Sequence, residues 1–166
     1  MRASASNVRI AEGTSPAAAA GRVLAVLTPI CGALVLGVAL FAAVVTWLFL
    51  DGTAPLSPGV LPGPALVVAA SLAAAILLAA PTLERRLGES PSSASMDEVA
   101  TRFQTGATVG FALREGAGLL GLVLSLLGGT LPWALAFAGG SLEAMALAWP
   151  KRAELEARLR KAAARG

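Results

Sequence analysis

Three ionisable residues, Arg114, Glu115 and Glu143, interrupt stretches that are otherwise apolar enough for the interior of a lipid bilayer. An isolated charge at the centre of a membrane helix costs about 2.5 to 3.5 kcal/mol, so such residues usually pair, line water-filled cavities or carry protons. The three side chains are therefore candidates for one intramembrane charged layer.

The spacing of these charges about a glycine turn predicts how they meet. Glu115 and Glu143 each lie 14 residues from Gly129, so an antiparallel hairpin turning there would bring them to one depth, about 21 Å from the turn. Arg114 is one residue deeper, and we predict an ion pair between Arg114 and Glu143. Small residues would let the two helices approach closely. They are Gly106, Gly110, Gly118, Gly121 and Ser125 on the Arg114 face, and Ala136, Gly139 and Ala146 beside Glu143.

Glu115 is displaced by about 100° around the helix from Arg114, so both cannot point at the same neighbour. Two acids and one base leave a surplus carboxylate, which in a low dielectric tends to take up a proton. Two interpretations follow: a protonatable group or ligand contact facing the first two helices, or a carboxylate that bonds Arg114, Ser or Thr and locks the bundle.

The elements that must position these charges are membrane-spanning helices. The 166-residue chain is 56% hydrophobic and only 14% charged, and about 20 apolar residues suffice to cross a bilayer. We predict four spans, at residues 23–50, 65–83, 105–127 and 131–149. The expected fold is all-α, an integral membrane bundle of four transmembrane helices with a short C-terminal cytoplasmic helix.

Basic residues predict the orientation of this bundle. Twelve of the 13 Lys and Arg residues lie before the first span, between the second and third, or after the fourth. Positively charged segments are retained in the cytoplasm, so we expect both termini there, in a bacterial inner membrane. The net charge of +3 then reflects topology and attraction to anionic headgroups rather than nucleic-acid binding.

The chain outside the spans divides into two segments. Residues 1–21 are Ala-rich and predicted to be a disordered cytoplasmic segment before the membrane domain at 22–149. Residues 150–166 form a basic tail, in which Glu154 to Arg158 and Glu156 to Arg160 have the spacing of an exposed helix. We interpret it as a solvated helix near the headgroups, with a partner-binding helix as the alternative. Ser95 followed by Glu98 predicts a capped start of the third helix before the membrane.

The composition also excludes several chemistries. The sequence has no His and one Cys, Cys31, so it lacks His-based metal sites, Cys clusters and His-assisted nucleophiles. It has no phosphate-binding loop of glycines followed by Lys. We therefore expect no catalytic, cofactor-binding or metal-binding residues, and a protein that is not an enzyme.

Two resemblances rest on the second half of the chain. The segment "ALREGAGLLGLVLSLL", followed after another span by "WPKRAELEARL", resembles small four-helix bacterial membrane proteins of uncharacterised function. Ala112, Leu113 and Glu115, with the apolar run that follows, are similar to the proton-carrying helix of rotary ATP synthase ring subunits. That second likeness would make Glu115 an ion-binding carboxylate, although Arg114 stands beside it here.

The leading functional expectation is a structural or accessory membrane protein that acts through helix partners or as a homo-oligomer. The rival is a proton-linked transport component that uses Glu115. Glycine-rich helix faces favour the first hypothesis, and a carboxylate left over after pairing favours the second.

Overall fold

A computed structural model describes residues 15–52, 63–129 and 131–165, all of whose regular structure is helical. The helices are α1 (Pro16–Leu50), α2 (Gly63–Gly88), α3 (Met96–Gly128), α4 (Leu131–Leu147) and α5 (Arg152–Ala163). The first three are long and apolar enough to cross a membrane, and α4 with α5, bent by 45°, forms a fourth candidate. The all-α, membrane-spanning class is therefore confirmed.

The first helix begins earlier than expected. Ser15 caps α1 by accepting a hydrogen bond from the amide of Ala18 at 3.3 Å, and Pro16 occupies the first helical position. The prediction of disorder up to residue 21 is thus wrong from residue 16 onward, since alanine has the highest helix propensity and Ser-Pro is a helix-start signal. Residues 1–14 lie outside the described residues, as does most of the connection at 51–64 between the first two predicted spans.

The turn between α3 and α4 forms at the predicted glycine. Gly129 has a φ of 64°, and its amide donates to the carbonyl of Ser125, which closes the helix with the left-handed residue that glycine favours. Gly121 contacts Phe137, and both residues lie eight positions from Gly129. Therefore α4 runs back along α3 in the predicted hairpin register.

Helix α3 is the centre of the bundle. It packs against α1, α2, α4 and α5, whereas the backbones of α1 and α2 do not approach one another. Half of its most apolar window is buried, against 11% for α1 and 17% for α2. Position on α3 therefore decides which neighbour a side chain meets.

The end of the bundle opposite Gly129, here called the α5 end, has a hydrophobic core of its own. Ser95 accepts from the amide of Glu98 at 3.3 Å, which confirms the predicted start of α3. Leu155 and Leu159 are fully buried in one core with Val23 and Phe103. Helix α5 therefore docks on α1 and α3, and the expectation of a solvated tail is wrong for this apolar edge.

The polar side of α5 carries the predicted ion pairs. Arg158 lies 2.7 Å from Glu154, and Arg160 lies 3.0 Å from Glu156. Hydrogen bonds from Arg152 and Arg160 hold the pKa of Glu156 below its usual range. The exposed face of α5 is thus organised as the charge spacing predicted.

Candidate functional site: a buried ion pair beside a basic cavity

Arg114 is the most deeply buried charge of the described chain, and its partner is Glu84. Its side chain is 3% exposed, and its Nη2 lies 2.7 Å from Oε2 of Glu84 on α2. The predicted pair with Glu143 is therefore wrong. Nε and Nη1 of Arg114 have no hydrogen-bond partner among the described residues, and its Cζ lies 6.0 Å from the centre of the Phe111 ring.

Two glycines on α3 make this ion pair possible. A Cβ atom at Gly106 would lie 2.7 Å from the carbonyl oxygen of Glu84 and 2.9 Å from the amide nitrogen of Gly88. At Gly110 it would lie 2.7 Å from Oε2 of Glu84 and 2.9 Å from Nη1 of Arg114. Only residues without a side chain let α2 come this close, so the predicted glycine face is real but receives α2 as well as α4.

Glu143 lies on the exposed face of α4. The face predicted to meet α3, with Ala136, Gly139, Glu143 and Ala146, is exposed throughout, whereas Ala134, Ala138, Ser141 and Met145 are buried. Both faces of α4 carry small residues, but only the face with Ser141 has a hydroxyl that can reach α3. That hydroxyl explains which face is buried. Oγ of Ser141 donates to the carbonyl of Arg114 at 2.6 Å. Glu143 is one turn, about 6 Å, from the end of α4 at Leu147.

Glu115 faces α1. Its Oε1 lies 3.1 Å from the position that a Cβ atom would take at Gly37. The side chain is partly buried and makes no ion pair within the described residues. It therefore faces one of the two helices expected of a protonatable group, and it lies there beside Gly37.

Sequence reasoning missed Glu84, which fell one residue beyond the predicted second span. Helix α2 instead continues through Pro81 to Gly88. Gly88, the last residue of α2, lies beside Gly106 of α3. The ten residues of α3 that precede Gly106, about 15 Å of helix, therefore extend past the end of α2. The one signal in the sequence was position, because Glu84, like Asp51, is an acid one residue beyond the end of a predicted span.

A cavity of about 480 Å³ opens beside the ion pair, between the α5 ends of α2, α3 and α4 and the start of α5. Its ionisable lining residues are four cations, Arg85, Arg114, Lys151 and Arg158, and two acids, Glu84 and Glu154. Phe103, Leu147 and Trp149 form apolar parts of the wall. The cavity thus joins a cationic lining to an apolar margin.

One stripe of α3 is left uncovered by the described residues, in the gap between α1 and α2. Its exposed members recur every four or seven residues, which places them on a single helix face. They are Thr101, Thr105, Ala112, Gly116 and Val123. This face is distinct from the one that packs on α4, because Gly121, which faces α4, is about 140° around the helix from Gly116. We call this surface the α3 stripe. A Cβ atom at Gly116 would have no atom of another described helix within 4 Å.

The fold and the site together define a multi-pass helical membrane protein with a buried ion pair and a basic cavity at one end. Comparison with protein-family models, curated proteins and solved structures finds no match to the chain. The two resemblances drawn from the sequence therefore stay predictions.

Proposed function

We propose that the protein is an accessory membrane protein that packs the α3 stripe against a transmembrane helix of a second copy or of another membrane protein. The observation that carries the proposal is that one face of the central helix, with Thr101, Thr105, Ala112 and Gly116, is left uncovered by the described residues. Lipid gains little from contact with such a face, whereas a helix can approach it closely because small side chains do not hold its backbone away.

Gly116→Leu is expected to weaken association about tenfold, because the new side chain would stand between the two helix backbones. The matched control is Gly139→Leu, since Gly139 is exposed on α4 and also has open space around its Cα. Both variants should keep the thermal stability of the single chain. The measurement is the oligomeric state in lipid nanodiscs, together with the proteins retained on purification from native membranes.

Crosslinking locates the same contact directly. Chains carrying Ala112→Cys in a Cys31→Ala background should form a disulfide-linked dimer if the partner is a second copy. If the protein is monomeric, retains no membrane protein, and Gly116→Leu behaves as Gly139→Leu does, the accessory role is wrong.

The proposal includes four spans, with both termini in the cytoplasm of a bacterial cell. Helix α4 has 17 residues, about 25 Å of helix, and it runs back along α3 from the turn, which supports a fourth crossing. The basic residues at the α5 end support its cytoplasmic placement. Reporter fusions after Gly63 should read as external and fusions after Ser93 and Gly166 as cytoplasmic, so a cytoplasmic signal after Gly63 would contradict this topology.

The rival function, a proton-linked transport component, is favoured by one observation. Because Glu84 compensates Arg114, the carboxylate of Glu115 is left without a cation among the described residues. Protein in liposomes with an internal pH dye separates the two functions, since only the rival requires a proton flux that Glu115→Gln removes.

A further inference from the structure

We infer that the cavity at the α5 end is a binding site for a phosphate group, supplied by the headgroup of an anionic lipid. This inference concerns a different surface from the α3 stripe and does not depend on a helix partner.

The charge of the lining is the first argument. Four cationic side chains face two acidic ones around a single cavity. One acid, Glu84, is engaged by Arg114, and the other, Glu154, by Arg158. Arg85 and Lys151 are exposed, and their side chains have no partner within the described residues. Two cations are thus left over, and they come from different elements, one from α2 and one from just before α5.

Arg114 supplies the second argument, which is independent of surface charge. Its side chain is 97% buried, it lines the cavity, and two of its three guanidinium nitrogens lack an acceptor within the described residues. Buried donors are nearly always satisfied, and one left without an acceptor costs about 1 to 3 kcal/mol. A phosphate oxygen is an acceptor of the geometry that a guanidinium fork prefers.

The position and the wall of the cavity favour a lipid over a free ion. The cavity lies where α2 and α4 end, which is the level of the bilayer interface when both helices cross the membrane. Leu147 and Trp149 line the cavity and are 76% and 38% exposed. The cationic lining of the cavity therefore adjoins an apolar surface that acyl chains can cover. Basic pockets between transmembrane helices at this level are suited to anionic headgroups.

Arg158 is held in a fixed position for such a role. Its Nη1 donates to the carbonyl of Gly88 at 3.0 Å, its Nη2 lies 2.7 Å from Glu154, and its Cζ stands 5.5 Å from the centre of the Phe103 ring. These contacts tie α5 to the ends of α2 and α3. A lipid bound in the cavity would therefore touch four helices and should stabilise the α5 end as a unit.

The test measures the thermal unfolding midpoint and lipid affinity in detergent as phosphatidylglycerol, phosphatidylcholine or inorganic phosphate is added. Phosphatidylglycerol should stabilise the protein and phosphatidylcholine should not. Arg85→Gln with Lys151→Gln should weaken phosphatidylglycerol binding about a hundredfold, or about tenfold for each charge, which is about 1.4 kcal/mol each. Both side chains are exposed and unpartnered, so the variant should fold.

The matched control is Arg86→Gln with Lys161→Gln, which removes the same charge from exposed residues outside this cavity. It should bind phosphatidylglycerol as the original protein does. Equal losses in the two double variants would overturn the site, because they would indicate general surface attraction. Equal stabilisation by both lipids would overturn it as well. Stabilisation by inorganic phosphate alone, lost in the Arg85 and Lys151 variant, would keep the phosphate site and reject the lipid as its source.

Discussion

Glu84→Leu is expected to lower the free energy of unfolding by about 3 to 5 kcal/mol, since removing one partner of a buried ion pair strands the other charge. Arg114 is 3% exposed, and two of its guanidinium nitrogens already lack partners in the part of the chain that the structure describes. Losing the 2.7 Å contact to Glu84 would leave this buried cation without an ion-pair partner among the described residues. The measurement is thermal and denaturant unfolding in detergent.

A double-mutant cycle distinguishes this pair from the effect of simply removing polar groups. Arg114→Leu with Glu84→Leu should recover much of the loss, because two apolar side chains carry no unpaired charge. Glu143→Leu is the matched control, an identical kind of change at an exposed acid, and it should shift stability by less than about 1 kcal/mol. Additive losses in the double variant, or a loss at Glu143 as large as that at Glu84, would refute the ion pair.

The second large effect is expected from Gly121→Ala, which should destabilise the protein by about 1 to 3 kcal/mol or more through overpacking. A Cβ atom there would overlap the Cβ and ring atoms of Phe137 on α4. The Cβ of Phe137 is fixed by the α4 backbone, so the strain can be relieved only by moving the helices apart. The resulting shift in the thermal unfolding midpoint is readily measured.

Gly116→Ala provides the control on the same helix. Its new methyl group would meet open space, so only helix propensity changes, which favours alanine by up to about 1 kcal/mol. The single chain should therefore be unchanged or slightly more stable. If Gly121→Ala were equally well tolerated, the close approach of α3 and α4 at Phe137 would be wrong.

Local signals predicted much of the fold because their causes act over a few residues. Ser95 caps α3 through the amide of Glu98, and Gly129 ends it in a left-handed conformation. Both features depend only on the neighbouring backbone. The early start of α1 was also available locally, since Ser15 and Pro16 form a helix-start signal that the alanine-rich composition obscured.

The candidate site was less predictable because it depends on helix rotation. The faces of α4 that contain Glu143 and Ser141 are both rich in small residues, so residue size could not decide which one meets α3. The hydroxyl of Ser141 decides it by donating to the carbonyl of Arg114 at 2.6 Å. The predicted charged layer therefore separates, with Glu115 facing α1 and Glu143 on the exposed side of α4.

The sequence by itself determined that this chain is a helical membrane protein, where α3 turns into α4, and that Arg114 lies on a glycine face. These features follow from hydropathy, backbone conformation and periodicity, which are properties of short segments. Only the tertiary structure decided that Glu84 neutralises Arg114. The turn at Gly129 sets the register of α3 and α4. The register of α2 and α3 is set across a longer connection, by the α2 backbone at Gly106 and the side chain of Glu84 at Gly110. In that packing the end of α2 lies ten residues along α3 from its start, and Glu84 contacts the buried guanidinium of Arg114.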